Sequence, residues 1–469
     1  MKIPLKQRLM QQTAPTANPA RKIRSMNTPI CDFVRTYAES GTLRLHMPGH
    51  KGVPLLGMEG LDLTEIAGAD SLYEADGIIR ESEENASVMF GCPTYYSTEG
   101  SSHCIRAMLQ LLCLHARKTG KKPVIAAGRN AHKTFLSAAV LLDFEPVWLC
   151  PSRADSYLSC PITAEEVEQF LVTAEPCPTA VYLTSPDYLG CLADIAGIAQ
   201  VCHRYGVLLA VDNAHGAYLH FLPEPLHPMD LGADVCCASA HKTLPALTGA
   251  AYLHLSAEMH CSAEEVKNAF ALFGSTSPSY LILQSLDRVN RYLAEGYPGR
   301  LSAHIAEAER YKQQLTDVGY TFRGDEPTKL TLCTKPYGYR GDVLAGILRK
   351  NGIECEFADP DFLVLMTAPE TGENGLRRLT DVLTAVPKRT PIREEAPVFT
   401  MPERVLSPRE AAFAPRVTLP AEKCIGRVLA EVNVGCPPAV PVVVCGERID
   451  AAVLEVFRYY GITQCSVVE

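Results

Sequence analysis

The sequence has no excess of basic charge and no long apolar run. Among 469 residues, 44 lysines and arginines stand against 53 aspartates and glutamates, which gives a formal net charge of -9. Proteins that bind nucleic acid usually carry a basic patch that neutralises phosphates, so no nucleic-acid partner is expected. Because no apolar run approaches the length of a membrane span, no membrane-spanning segment is predicted either.

The cysteines are not paired in sequence. The 18 cysteines are scattered singly except for the adjacent Cys236 and Cys237, and no CxxC motif occurs. A disulfide scaffold would be short and rich in cysteine, and a zinc site would show paired spacing, so neither disulfides nor a metal site is predicted. The pattern favours a reducing cytoplasm. The first 24 residues carry six basic residues, no acid and no apolar core of a secretory signal, which predicts a solvated basic tail.

Short apolar runs alternate with helical stretches from about residue 85 onward. Runs that are apolar throughout are typical of strands buried on both faces of a largely parallel sheet. The sequence therefore predicts an α/β fold with a mostly parallel sheet. The runs are "PVIAAG", "EPVWLC", "TAVYLTS", "VLLAVD", "ADVCCAS" and "GAAYLHL".

The chain divides into four predicted segments. Residues 1–84 form a basic tail with an N-terminal helix and loop, and residues 85–295 form the large α/β domain. Residues 296–388 mix a helical stretch with strands such as "TKLTLCT", which predicts a small α+β domain. Residues 389–469 begin with a proline-containing linker and continue into a C-terminal α+β domain.

An acid and a lysine follow two of the predicted strands. In open α/β sheets, ligands bind at the carboxyl ends of the strands, where Asp212 follows "VLLAV" and Lys242 follows "ADVCCA". Each residue alone would be read as a loop-capping acid or a surface lysine. However, the segment "ASAHKTLPALTGAAYLHL" reads as almost wholly buried and offers Lys242 no charged partner. Desolvation lowers the pKa of a lysine and makes its amine a nucleophile, which indicates carbonyl chemistry.

Pyridoxal phosphate is the carbonyl compound that this pair suits, since it needs a lysine for its Schiff base and a carboxylate for its pyridine nitrogen. The segment Gly100, Ser101 and Ser102 directly precedes an amphipathic helix. Amides at a helix N-terminus and serine hydroxyls bind phosphate, although the same residues alone would be read as a helix cap. The three features together predict a pyridoxal phosphate site.

The chain resembles the fold-type I, pyridoxal-phosphate-dependent Orn/Lys/Arg decarboxylases of bacteria over nearly its whole length. This resemblance implies a fold-type I large domain followed by a small α+β domain and a C-terminal α+β domain. It also resembles the short form, without the N-terminal wing domain of the large inducible enzymes. The resemblance rests on ordered motifs, namely "HMPGHKG", "GADSLYEADGII", "STEGSSH", "GRNAHKT", "TSPDYLG", "VDNAHGAY", "SAHKTLPALTGAAYLH", "STSPSY", "SPREAAFAP", "GRVLAE" and "PPAVPVVVCGE".

The resemblance implies a role for each residue of the site. Lys242 resembles the Schiff-base lysine, Asp212 the partner of the pyridinium nitrogen, and His132 the residue that stacks on the cofactor ring. His215 is expected either beside the ring or in a structural hydrogen bond, and these four form the expected catalytic set. The expected phosphate-binding residues are Gly100, Ser101, Ser102, Ser239 and His241.

Two motifs point to a dimer. "STSPSY", with Thr276 and Ser277, resembles the segment that crosses the dimer interface to the partner's phosphate, although alone it would be read as a turn before a helix. "HMPGHKG" resembles a loop that closes over the active site, with His46 and His50 at the entrance. The resemblance therefore implies a homodimer or higher homo-oligomer with shared active sites.

The expected function is α-decarboxylation of arginine, lysine or ornithine to a polyamine precursor. The alternatives are another fold-type I reaction, such as transamination or carbon–sulfur cleavage, or a catalytically silent regulatory protein that binds pyridoxal phosphate. Three positions depart from the family pattern: Asp187 in "TSPDYLG", Cys436 before "PPAVP", and Cys445. These departures bear on the choice of substrate and leave the cofactor residues unchanged.

Overall fold

The computed structural model describes residues 26–152, 156–436 and 440–469. The predicted basic tail, the residues 437–439 of the "PPAVP" motif and the side chain of Cys436 lie outside the described part. Within that part, no helix combines the length and the apolar character needed to cross a membrane. The cysteines with described side chains form no disulfide bond with one another.

A seven-stranded sheet forms the centre of the molecule, in the order β1-β7-β6-β5-β4-β2-β3. Strands β6, β5, β4, β2 and β3 run parallel, whereas β7 is antiparallel to both of its neighbours. Its strands are β1 (Thr94–Ser97), β2 (Val124–Gly128), β3 (Glu145–Leu149), β4 (Ala180–Thr184), β5 (Leu208–Asp212), β6 (Val235–Ala238) and β7 (Ala251–Leu255). Every residue of β2, β6 and β7 is buried, which explains why the runs are apolar throughout.

Helices cover the sheet and connect its strands. Those in the first part of the chain are α1 (Pro29–Glu39), α2 (Ile78–Phe90), α3 (Gly100–Lys118), α4 (Lys133–Leu142), α5 (Ala164–Thr173), α6 (Ile195–Arg204), the one-turn α7 (Ala240–Thr243), α8 (Ala263–Ala271) and α9 (Tyr280–Ala294). The start of α2 is held by Asp70, whose carboxylate accepts hydrogen bonds from the amides of Gly77 and Ile79. Asp70 of the motif "GADSLYEADGII" thus positions the start of a helix.

The second half of the chain forms two further α+β units. The first holds α10 (Tyr297–Asp317), α11 (Gly341–Lys350) and α12 (Gly372–Ala385) around a four-stranded antiparallel sheet. The strands of that sheet are β8 (Thr321–Arg323), β9 (Lys329–Cys333), β10 (Phe357–Ala358) and β11 (Phe362–Met366). The second unit holds α13 (Pro408–Phe413), β12 (Arg416–Pro420), β13 (Asn433–Cys436), β14 (Val440–Val444), α14 (Ala451–Tyr460) and β15 (Gln464–Val468).

A buried ion pair joins the last unit to the large sheet. Arg129, which follows β2, lies 2.8 Å from Glu447, and both side chains are buried. The Arg129 guanidinium also lies 4.8 Å from the ring centre of Trp148 on β3. Breaking such a buried pair costs about 3–5 kcal/mol, because the remaining charge loses its partner.

Candidate active site

Two adjacent parallel strands bring Asp212 and Lys242 to the same edge of the sheet. Asp212 ends β5 and lies opposite Cys237 of β6, and Lys242 lies in α7 directly after β6. Both side chains line a cavity of about 400 Å³, which is within the size range of small-molecule sites. The expectation that the carboxyl ends of the strands carry the site agrees with this arrangement.

Asp212 is buried and held in place from three directions. Its carboxylate accepts hydrogen bonds from the Tyr182 hydroxyl at 3.2 Å, the Ala214 amide at 3.1 Å and the Cys237 thiol at 3.6 Å. These contacts orient the carboxylate at the cavity wall. A fixed carboxylate in this position can pair with a protonated ring nitrogen of a ligand.

Lys242 is exposed to the cavity rather than sealed in the core. The segment around it was expected to be almost wholly buried, and that expectation is wrong for its middle, where Pro245, Leu247 and Thr248 are also exposed. The apolar pattern reflects the wall of an open cavity. Desolvation of the amine within the cavity still lowers the pKa of Lys242 below its ordinary value, and the charge of Asp212 opposes that shift.

The start of α3 forms another part of the cavity wall. Gly100, Ser101 and Ser102 line it together with Ser239, His241 and Gly249. The amides of a first helical turn have no intrahelical acceptor, so those of Ser101 and Ser102 are available to an anion. The Gly100 amide instead donates to the carbonyl oxygen of Gly249 at 2.7 Å. Gly249 has φ +100°, and a Cβ there would lie 2.7 Å from the carbonyl oxygen of Thr98, so only glycine allows this close approach.

Three histidines surround the same space. His132 caps α4 and accepts a hydrogen bond from the Thr134 amide at 3.2 Å, while Nδ1 of His241 lies 2.8 Å from the carbonyl oxygen of Ala250. His215 is buried, and its Nε2 lies 3.0 Å from Lys242 Nζ. Burial lowers the pKa of each of the three, so their rings are neutral at physiological pH.

The cavity residues fit pyridoxal phosphate. Ser239 is fully buried at the cavity wall, and its Oγ has no hydrogen-bond partner among the described residues. The hydroxyl oxygen of Thr184, also in the cavity wall, is likewise buried without a hydrogen-bond partner among the described residues. Unpaired buried hydroxyls are costly unless a ligand engages them. Together with an amine, a fixed carboxylate and a helix N-terminus, they match the groups that this cofactor requires.

Four expected residues do not line the cavity of the single chain. Thr276 and Ser277 are exposed, and the Ser277 amide bonds to the Ser275 hydroxyl at 3.2 Å. His46 contacts the Tyr37 hydroxyl at 2.6 Å, and Nε2 of His50 lies 3.2 Å from Asp62. The role of "STSPSY" in a partner's site therefore stays a prediction.

The sequence did not single out several residues around the site. Tyr188 lines the cavity with its ring 5.1 Å from that of His215, and Lys329 of the small α+β unit approaches the same histidine. Asp187, noted as a departure from the family pattern, uses its carboxylate to accept the amides of Leu189 and Cys191 and does not line the cavity. This departure from the family pattern therefore lies in a turn beside the cavity.

Comparisons with known proteins point in one direction. A family model described as "Orn/Lys/Arg decarboxylase, major domain" matches residues 28–331. The chain is 30% identical to an arginine decarboxylase of Halalkalibacterium halodurans, over 93% of this chain and 94% of the relative. It is 28% identical to an arginine decarboxylase of Bacillus subtilis, over 90% of this chain and 91% of the relative.

The solved lysine decarboxylase of Francisella novicida has the same fold, with a TM-score of 0.79 at 19% identity, over 96% of this chain and 82% of that one. The expected fold-type I architecture with its mostly parallel sheet is thereby confirmed. The resemblance first seen in the ordered motifs is confirmed as well, and the chain belongs to the Orn/Lys/Arg decarboxylase family.

Proposed function

We propose that this protein removes the α-carboxylate of a basic amino acid, which is arginine, lysine or ornithine, and releases carbon dioxide and the corresponding amine. The observation that carries the proposal is the meeting of Lys242 and Asp212 in one cavity, which the start of α3 also lines, in a chain of this family. The relatives named as arginine decarboxylases support this substrate class.

The cofactor is pyridoxal phosphate, and different residues of the cavity bind its aldehyde carbon, its ring and its phosphate. Lys242 provides the amine for covalent attachment, Asp212 pairs with the ring nitrogen, and His132 stacks on the ring. The phosphate-binding set is Gly100, Ser101, Ser102, Ser239 and His241. When bound, pyridoxal phosphate supplies a protonated ring that accepts the electron pair left at Cα as carbon dioxide departs.

The protein then has two tasks in the reaction. Asp212, buried and held by Tyr182, keeps the ring nitrogen protonated, so the negative charge that develops at Cα is stabilised in a site of low polarity. A proton must next be returned to Cα. The proton donor is Lys242 or His215, whose Nε2 lies 3.0 Å from Lys242 Nζ.

The active protein is proposed to be a cytoplasmic homodimer or higher oligomer. The absence of disulfide bonds among the described cysteines supports a reducing compartment. An exposed apolar surface supports self-association, because Leu45, Leu55 and Leu56 are 83%, 80% and 87% exposed in the segment that contains "HMPGHKG". Thr276 and Ser277 are proposed to reach the partner's phosphate. The amine product would enter polyamine biosynthesis.

The function is tested by incubating the purified protein and pyridoxal phosphate with each basic amino acid and measuring carbon dioxide and amine. Citrulline and norleucine serve as neutral controls of similar length to arginine and lysine. We expect them to react at least about 100-fold more slowly, because a site built for a cation leaves its own buried polar groups unpaired with a neutral ligand. A keto acid as product, or fastest turnover with an acidic or aromatic amino acid, would overturn the proposal.

A second measurement locates the cofactor. Borohydride reduction followed by peptide mapping should place the label on Lys242, and a Lys242→Ala chain should lose the label together with its activity. A label on another lysine would contradict the assignment. A labelled protein without turnover on any amino acid would instead indicate the silent regulatory alternative.

A further inference from the structure

Three buried side chains, those of His215, Lys329 and Glu326, connect Lys242 with the small α+β unit. Lys242 Nζ lies 3.0 Å from Nε2 of His215, and Lys329 Nζ lies 3.3 Å from Nδ1 of the same ring. Lys329 Nζ also lies 2.8 Å from Glu326 Oε2 and 3.3 Å from the carbonyl oxygen of Asp187. His215, Lys329 and Glu326 are all buried. The imidazole ring is therefore held between two lysine amines.

Glu326 determines the charge of Lys329. The hydroxyls of Tyr218 and Thr328 donate to Glu326 Oε1 at 3.2 and 3.4 Å, so this carboxyl group acts as an acceptor on one oxygen and faces the amine with the other. Burial raises the pKa of Glu326, and the charge of Lys329 opposes that rise. A buried carboxylate requires a counter-ion, and Lys329 is the cation in contact with it. This contact therefore favours the ammonium form of Lys329.

The hydrogens of that ammonium group fix the tautomer of His215. An ammonium group has three N–H donors and no lone pair. Lys329 forms an ion pair with Glu326, and its hydrogen-bond partners are the carbonyl of Asp187 and Nδ1 of His215. Nδ1 must accept, so the single proton of the neutral ring is on Nε2. Nε2–H then donates to Lys242, and only an unprotonated amine has the lone pair that accepts it.

We propose that Lys329 is a positioning residue that holds His215 in its Nε2–H tautomer and thereby keeps Lys242 as a neutral amine before the cofactor binds. The reverse tautomer would place Nδ1–H against the Lys329 ammonium at 3.3 Å, donor against donor. A neutral Lys242 is the form that attacks an aldehyde. This inference deepens the proposed function and rests on the role given there to Lys242.

Other titratable groups act on the pair from the surrounding elements. Burial, followed by the charge of Lys329, lowers the pKa of His215 well below its ordinary value, which keeps the ring neutral. Burial also lowers the pKa of Lys242. The remaining groups that face Lys242 or His215 are Asp212, Glu356, Tyr188, Cys237, His132 and His241. Asp212 and Glu356 favour a protonated Lys242, so the bond from His215 opposes them.

The tautomer can be read directly by nitrogen NMR of the full chain freed of cofactor and labelled with ¹⁵N-histidine. The His215 signals are assigned by their loss in a His215→Gln variant. We expect a protonated Nε2 and an unprotonated Nδ1 at pH 7. A ring protonated at Nδ1, or at both nitrogens, would overturn the proposal without any reference to a variant.

The consequence for Lys242 is tested by competitive acetylation of the same cofactor-free chain across pH, with the labelled peptides quantified by mass spectrometry. The double variant Lys329→Met with Glu326→Gln removes both charges together, so no buried charge is left alone. His215 can then accept from Lys242, and the pKa of that lysine should rise by about one unit. The labelling curve then moves up by about one pH unit, and labelling falls about tenfold at pH values below both midpoints. Unchanged labelling would contradict the proposal.

A matched control is available in the same unit. Lys335 and Asp361 form another largely buried pair at 2.7 Å, and Lys335 is bonded to the Tyr459 hydroxyl rather than to His215. Lys335→Met with Asp361→Asn should leave the labelling of Lys242 and the His215 tautomer unchanged. Both measurements are made without substrate, so they are independent of the decarboxylation assay. If His215 proves to be protonated at Nδ1, the proposed decarboxylase function still stands. If no decarboxylation is found, the tautomer of His215 can still be measured.

Discussion

At the scale of single residues, Asp212 offers a separation of cofactor binding from turnover. Asp212→Asn keeps the shape of the side chain among Tyr182, Ala214 and Cys237 but cannot hold a ring nitrogen protonated. We expect the variant to retain bound cofactor by absorbance and to lose about 10³-fold or more in kcat, because the charge acts mainly in the transition state.

Asp187→Asn is the matched control for this prediction. Asp187 is also a buried carboxylate after a strand of the same sheet, but it bonds to the amides of its own turn and does not line the cavity. The control should lose far less activity than Asp212→Asn. Near-normal turnover in Asp212→Asn would remove the proposed electron-accepting role of the ring.

Single residues also show where reading the sequence stops. Lys242, Asp212, Ser239 and His241 follow strands that are recognisable from their apolar runs, so their common location at one edge of the sheet could be predicted. Lys329 could not, because it opens a strand in another unit and is 114 positions from His215 in the chain. A lone lysine at a strand start is usually exposed, and nothing nearby in the sequence marks this one as buried.

At the scale of secondary-structure elements, β7 carries a histidine that makes the fold sensitive to acid. His254 is fully buried, its Nδ1 lies 2.9 Å from the Thr94 hydroxyl, and burial lowers its pKa from 6.5 to about 3. Between those two values the unfolded chain binds a proton that the folded chain does not. The contribution of His254 to the free energy of unfolding is therefore fully present above pH 6.5 and is lost as the pH is lowered towards 3.

We expect acidification from pH 7 to pH 5 to cost about 2 kcal/mol at this one residue. His254→Asn should melt at a lower temperature at pH 7.5 but show a shallower fall in melting temperature on acidification. His260→Asn is the control, since His260 is exposed and its left-handed φ of 47° suits asparagine. Equal acid slopes in all three proteins would contradict the prediction.

The elements also show what an apolar pattern encodes. The runs "VLLAVD" and "GAAYLHL" both become strands, as expected, because both are buried on two faces. The pattern does not encode direction, and β7 is antiparallel to β6 although its run looks like those of the parallel strands. Direction depends on the short connection through α7, which returns the chain at once instead of crossing over the sheet.

At the scale of the whole molecule, the shared active site is the decisive prediction. In a mixed dimer of Lys242→Ala and Ser277→Asp chains, one of the two sites would receive Lys242 and Ser277 intact from different subunits. We therefore expect a verified heterodimer of these two inactive chains to recover about half of the wild-type activity. Activity is measured as amine released after the two chains are refolded together.

The control for sharing combines two changes that belong to one chain's own cavity. A heterodimer of Lys242→Ala and Asp212→Asn chains has a defect in each site, since both residues line the same cavity. It should stay inactive. Recovery here, or no recovery with the Ser277 chain, would contradict a site that takes Ser277 from the partner.

The ion pair of Arg129 and Glu447 has a consequence for attempts to isolate or transplant the cofactor site. Arg129 precedes Asn130, which lines the cavity, and Val440 of the C-terminal unit supplies part of the same wall. An excised fragment of residues 85–295 would therefore carry an uncompensated guanidinium and an open flank. A fragment meant to keep the cofactor site must therefore include the C-terminal unit, because Val440 and Glu447 of that unit complete the cavity wall and pair with Arg129.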